Sequence, residues 1–320
     1  MSVEHFHPEL RRAARFIPRF SFTPRLARIA NWLHGKRSVG QPPQVDGVEI
    51  SDVMIPVDAS GTSRRVRLYR PIAPGPHPAM LWIHGGGFII GTPEQDEAQS
   101  IELCKQLGMV VAAISYRLAP QHSYPVPMED CYAALDWLHA NSDALQVDRD
   151  RIIVGGASAG AGLAAGLVLL AHDRAKIPVA YQLLIYPMLD DRTALRTDVD
   201  DKRLRLWTNK SNRFGWSAYL GQEPGGENVP EYAAPARRQD LGGLPPAWIG
   251  VGTSDLFHDE DVAYARRLQQ AGVPCTLKIV EGAFHGFEIA GLDTPVVKDF
   301  RRDYFDALAR AIEPTLERAQ

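Results

Sequence analysis

One stretch constrains this chain more than any other: Val154-Gly155-Gly156-Ala157-Ser158-Ala159-Gly160-Ala161-Gly162. A β-branched run, Ile152-Ile153-Val154, enters it, and small and apolar residues from Ala161 through Leu170 leave it at helical spacing. A serine held between strand and helix on so sharp a turn takes strained backbone, and its glycine neighbours keep other side chains clear. The hydroxyl then projects from the carboxyl edge of the sheet, and the next N–H faces the same space. The helix that begins there adds the positive end of its dipole. These features suit a serine that carries an acyl group and faces an oxyanion. Five small residues alone would equally serve close packing of a helix on a strand, so the reading depends on partners elsewhere.

A serine hydroxyl is a poor nucleophile until a base takes its proton. His285 lies in Gly282-Ala283-Phe284-His285-Gly286-Phe287, a tight loop after the last apolar strand. A carboxylate must then hold the imidazole in its working tautomer. Asp255 follows the strand Trp248–Val251 in Gly252-Thr253-Ser254-Asp255. The chain order Ser158, Asp255, His285 is that of a nucleophile–acid–base set on an α/β sheet, each at the carboxyl end of a different strand. Asp190 is the rival acid. Asp259 and Asp261 read as first-turn residues of the next helix, where negative charge is favoured. His258 is too near Asp255 in sequence to be its independent partner, and His84, His122, His139 and His172 read as surface or turn histidines. The oxyanion needs donors, and His84-Gly85-Gly86-Gly87-Phe88 directly follows the strand Met80–Ile83. The N–H groups of Gly86, Gly87 and Ala159 are the expected hole. A phosphate-binding turn is the competing reading. It lacks both a G-x-G-x-x-G with a downstream ribose acid and a P-loop lysine.

The rest of the chain supplies the setting. Val48–Val57 and Arg64–Tyr69 alternate as antiparallel strands around a Ser60-Gly61 turn. Apolar runs at 79–84, 109–114, 152–154, 181–185, 248–251 and 276–280 read as further strands, and helical patterns near 95–107, 128–141, 160–173, 259–271 and 295–316 separate most of them. That alternation predicts an α/β fold with an eight-stranded, mostly parallel sheet covered by helices on both faces. Two regions break the rhythm. Residues 1–45 interleave Arg11, Arg12, Arg15, Arg19, Arg25 and Arg28 with aromatic and aliphatic residues, interrupted at Pro18 and Pro24. They read as a helical flap, and Gly40-Gln41-Pro42-Pro43 as a linker. Residues 191–235 are too long for a simple connection, and read as inserted helices that join the flap over the carboxyl edge. The catalytic domain is then 46–190 with 236–320. The cap aromatics that could fill a pocket are Phe16, Phe20, Phe22, Trp32, Trp207, Phe214 and Trp216, and Phe88 adjoins the hole.

Composition excludes more than it identifies. A net charge of −3 gives no reason to expect nucleic acid. Cys104, Cys131 and Cys275 are few, odd in number and far apart, which argues against a disulfide framework or a zinc site and for buried free thiols. No apolar run approaches membrane-spanning length. The expectation is a cytoplasmic protein without metal or organic cofactor and without stable membrane insertion, monomeric or paired through an exposed last strand near Thr276–Val280.

With these motifs in place the sequence resembles the hormone-sensitive-lipase-like, bacterial family IV, esterases of the α/β-hydrolase fold over most of residues 45–315. The resemblance lies in His84-Gly85-Gly86-Gly87-Phe88, Tyr116-Arg117-Leu118-Ala119-Pro120, Gly156-Ala157-Ser158-Ala159-Gly160, Leu184-Ile185-Tyr186-Pro187, Asp255-Leu256-Phe257-His258-Asp259-Glu260 and Phe284-His285-Gly286-Phe287. It implies hydrolysis of short- to medium-chain carboxylic esters through an acyl-enzyme, without a cofactor, under a cap formed by the N-terminal residues and 191–235. Two departures stand out. Ala157 precedes the serine where the family often has an acid, and Gln121 stands where it often has Glu. A non-catalytic ligand-binding receptor on the same fold, or an amidase with the same triad, are the alternatives.

Overall fold

The computed structural model describes residues 3–17, 21–36, 42–201, 204–290 and 293–313, with the backbone alone at 30 and 32–36. A 3-10 turn leads into α1 (Arg11–Phe16), and α2 (Pro24–Lys36) follows, with proline at its first position, where a missing N–H costs nothing. The strands are β1 (Val48–Pro56), β2 (Ser63–Pro71), β3 (His77–Ile83), β4 (Val110–Ile114), β5 (Val147–Ala157), β6 (Tyr181–Ile185), β7 (Ala247–Ser254) and β8 (Cys275–Phe284). Between them lie α3 (Glu97–Leu107), α4 (Val126–Ala140), α5 (Ser142–Leu145), α6 (Ala159–Arg174), α7 (Asn209–Leu220) and α8 (His258–Gln270), with α9 (Pro295–Ile312) last. The sheet order is β1-β2-β4-β3-β5-β6-β7-β8. Only β2 runs against the others, antiparallel to both β1 and β4. The remaining pairs are parallel.

The parallel strands are buried on both faces, and their side chains alternate between two cores. Leu81, Ile83, Val154, Leu184 and Ile249 pack on one side with residues of α4, α6 and α8. Met80, Trp82, Ile153, Leu183, Val251 and Trp248 pack on the other, with Leu103 of α3 and Phe300, Tyr304 and Leu308 of α9. This is why these strands read as continuous apolar runs rather than as alternating ones. The start of β5 lies five residues before the apolar run. Residues 147–151 are Val-Asp-Arg-Asp-Arg, and the four charged residues after buried Val147, exposed or half-buried, carry no hydrophobic signal.

Residues 191–235 hold a 3-10 turn at Asp191–Leu195 and α7, whose first turn is capped by the Thr208 hydroxyl accepting from the Ser211 N–H at 3.1 Å. The N-terminal segment is tied to this stretch. Ser21 Oγ lies 2.9 Å from Thr208 Oγ1, the Phe22 N–H donates to Ser211 Oγ at 2.9 Å, and buried Arg205 donates to the Ala14 carbonyl at 2.6 Å. It is also tied to the sheet: the His7 N–H donates to the Gly282 carbonyl at 2.9 Å, next to the His285 loop. The break expected at Pro18 and the Gly40-Gln41 half of the linker lie outside the described residues. None of the described helices is long and apolar enough to cross a membrane. Cys104 and Cys131 are buried, as expected, but Cys275 is half-buried, because it opens the edge strand β8.

Candidate active site

The site forms where β3, β5, β7 and β8 end. Pairing of Ile83 with Gly156 sets the loop after β3 beside the turn after β5. Ser158 sits on that turn at φ 57° and ψ −123°, a region that residues with a side chain rarely adopt. Main-chain bonds hold it there. Its N–H donates to the Ile185 carbonyl at 2.9 Å, and its carbonyl accepts from Met188 N–H at 3.1 Å. The turn is therefore anchored on the β6 end without an acidic side chain at position 157, where Ala157 lines the cavity instead. Gly160 explains the motif's last glycine: a Cβ there would stand 2.0 Å from the Ile83 carbonyl oxygen and 2.4 Å from that of His84. Any side chain would drive α6 off the sheet.

Ser158, His285 and Asp255 come together. His285 Nε2 is 2.9 Å from Ser158 Oγ, and its Nδ1 is 2.8 Å from Asp255 Oδ2. The other Asp255 oxygen, Oδ1, accepts from the Phe257 N–H at 3.0 Å. The rings of Tyr186 and Phe257 meet the imidazole edge-on, with centroids 4.7 and 5.1 Å away. All three side chains are largely buried. Asp190 is engaged elsewhere, by the Arg192 guanidinium at 2.7 Å. Asp259 faces His258 and Arg196 at the surface.

Asp261 stands in the first turn of α8, as expected, but it is fully buried there, and burial, with the charges of Glu260 and Asp255, pushes its carboxyl well above the usual range. His84 is a turn residue but not a surface one. It is 1% exposed, stacks on Tyr116 at 4.3 Å, and its Nδ1 lies 2.8 Å from the Gly85 carbonyl. Its ring fills the inside of the glycine turn. Gly86 and Gly87 have φ of 118° and 60°. A Cβ on Gly86 would strike the Ile90 carbonyl at 2.1 Å, and one on Gly87 the Trp207 ring at 2.0 Å. Among the described residues no acceptor takes the N–H groups of Gly86, Gly87 or Ala159. Free donors beside a buried hydroxyl are what an oxyanion requires.

A cavity of about 280 Å³ opens over Ser158 and His285. Of the cap aromatics, Phe22 and Trp207 line it. Phe16 is 77% exposed, and Trp216 is buried against Phe88, which stacks on Tyr219 at 4.1 Å rather than on the cavity. Phe20 and the side chain of Trp32 lie outside the described residues. Sequence reasoning missed Ile90, Asp96, Tyr186, Leu206 and Ile289 as lining residues. Tyr186 had a signal, since it directly follows β6 beside the Ser158 turn. Among the described residues no cluster of His, Cys, Asp and Glu could hold a metal ion.

Behind Tyr186 lies Glu288, 2% exposed, whose Oε1 accepts from the tyrosine hydroxyl at 3.2 Å. Burial raises its carboxyl from an ordinary 4.5 to about 7. The folded protein then keeps this proton where the unfolded chain releases it. Stability from this group is greatest below pH 4.5, declines as pH rises from 4.5 towards 7, and is lost above. Glu288→Gln removes the charge and keeps the acceptor. Its stability relative to the parent is expected to rise by up to roughly 3 kcal/mol between acidic and mildly alkaline buffer. Urea unfolding of both proteins on either side of the window checks this, and a difference that does not change with pH would contradict it.

The alpha/beta hydrolase fold family model matches residues 80–289, which carry every loop named above. The carboxylic ester hydrolase LipN of Mycobacterium tuberculosis is 34% identical over 77% of this chain, and the match spans 65% of LipN's own length. The ethyl acetate hydrolase of Pseudomonas putida is 33% identical, over 74% of this chain and 75% of its own. Among solved structures, a bacterial heroin esterase superposes with a TM-score of 0.89 at 37% identity, covering 98% of this chain and all of that one. Sheet order, loops and relatives agree, and the chain belongs to the hormone-sensitive-lipase-like esterases of the α/β-hydrolase fold.

Proposed function

We propose that this chain is a serine carboxylesterase that cleaves short- to medium-chain esters through an acyl-enzyme. The observation that carries the reading is the relay Ser158 Oγ–His285–Asp255, at 2.9 and 2.8 Å, beneath the unengaged N–H groups of Gly86, Gly87 and Ala159. His285 takes the serine proton as Ser158 attacks the carbonyl. Asp255 holds the imidazole in the tautomer that leaves Nε2 free to accept, and steadies it once charged. The three N–H groups hold the oxyanion, the alcohol leaves with the proton from His285, and water repeats the steps to release the acid. The N-terminal segment and residues 191–235 serve as the cap, since Phe22 and Trp207 wall the cavity. Relatives named for ester, ethyl acetate and heroin hydrolysis support the reaction class. The protein acts as a monomer or homodimer in the cytoplasm on this reading, with β8 as the edge available for pairing.

The cavity is small for a ligand site, which commonly spans about 300–1,000 Å³. With p-nitrophenyl esters, kcat/KM is expected to peak at short acyl chains. It should fall about tenfold or more at the long end, since forcing extra methylenes into a packed pocket costs about 1–3 kcal/mol. Matching p-nitroanilides should be cleaved far more slowly. A rate that climbs steadily with chain length, or anilides preferred over esters, would contradict the proposal.

A further inference from the structure

Asp96 lines the cavity with Ser158 and His285, yet the ester chemistry does not use it. It ends the 3-10 turn Pro93–Asp96 and is 8% exposed. Its recorded partners are neutral. The Trp82 indole N–H donates to Oδ2 at 2.9 Å, and the Gln95 side chain approaches the same carboxyl. Among the described residues no lysine, arginine or histidine pairs with it. Burial raises the group to about 6, so it still carries its charge at neutral pH. Glu288, behind Tyr186, feels the charge of Asp96 but is of like sign and offers no compensation. A buried carboxylate without a cation is costly. The cavity also presents Phe22, Tyr186 and Trp207. A carboxylate set among aromatic rings is the environment that holds an ammonium group carrying apolar substituents.

We propose that the cavity takes esters bearing a substituted ammonium group, with Asp96 as counter-ion and Phe22, Tyr186 and Trp207 as aromatic wall. The inference rests on the esterase reading and narrows its substrate class. Asp96, the N-cap residue of α3, already meets the positive end of that helix; the cation adds a full charge opposite it, and the rings replace the water the cation loses on entry.

The test uses hydrolysis of p-nitrophenyl acetate by the whole protein at neutral pH and constant ionic strength. Tetramethylammonium is compared with tert-butanol, a neutral molecule of similar shape, as competitive inhibitor. The cation is expected to bind about tenfold or more tightly. In Asp96→Asn, which keeps an acceptor for Trp82, that ratio should fall to near one. Because the ratio is read within each protein, a general change in activity cancels. A second measurement needs no variant: acetylthiocholine should be a better substrate than its uncharged isostere, 3,3-dimethylbutyl thioacetate. Ester hydrolysis with no preference for the cation, or a preference unchanged in Asp96→Asn, would overturn the inference, leave the esterase reading standing and reduce Asp96 to an anchor for Trp82. Failure to hydrolyse p-nitrophenyl acetate at all would instead sink the esterase reading, and this inference with it.

Discussion

Replacing Ser158 with alanine should lower ester turnover by roughly 10⁴-fold or more, with the fold unchanged. On the proposed mechanism the variant loses the atom that carries the acyl group. It keeps the cavity and the N–H groups of Gly86, Gly87 and Ala159, so weak binding and a trace of hydrolysis should persist. Stability should change little, because alanine occupies the same strained φ of 57° as the serine. Ser158→Gly separates strain from chemistry. It should be equally inactive, yet relief of about 1–3 kcal/mol of backbone strain should offset glycine's entropic cost of up to about 1 kcal/mol. Turnover and urea unfolding of the three proteins together check the argument. Retention of a sizeable share of activity by either variant would mean that another group carries the acyl chain.

Asp255→Asn should cost about 10⁴ in kcat with little change in KM. The asparagine oxygen can still accept from the Phe257 N–H, which Asp255 Oδ1 does now at 3.0 Å. Its amide nitrogen then meets His285 Nδ1, where Oδ2 now lies at 2.8 Å. An NH₂ there demands an unprotonated Nδ1, which forces the proton onto Nε2 and leaves nothing to accept from Ser158. Geometry survives while the tautomer is wrong. Asp190→Asn is the comparison, since Asp190 binds Arg192, while the hydrogen bonds of His285 among the described residues go to Asp255 and Ser158. It should keep turnover near the parent value. A similar loss in both variants would point to general damage at the carboxyl edge.

Much of this was legible in the sequence because each element carried its own local signal. The strand, turn and helix around Ser158 are written in a β-branched run, close-set glycines and a small-residue helix. The loop after β3 is written in three glycines. The strands buried on both faces are written as uninterrupted apolar runs. What stayed hidden depends on how distant pieces meet. His84 looks like a surface histidine because nothing nearby in sequence announces Tyr116, on which it stacks. Asp261 sits where a helix favours an acid, and only the packing of α8 buries it. Phe22 and Trp207 could not be told from Phe16 or Trp216 as pocket walls, because facing across a cavity is settled by contacts 185 and more residues apart, such as Ser21 with Thr208. Asp96 gave no signal at all, since its turn reads as an ordinary helix start.

The central claim is that Ser158 is a nucleophile activated by His285. Incubation with a fluorophosphonate probe, followed by intact-mass and peptide mass spectrometry, tests it most directly. The account expects one adduct per chain, located on Ser158, formed far more slowly in His285→Ala. No adduct, an adduct on another residue, or labelling at the same rate without the imidazole would contradict it.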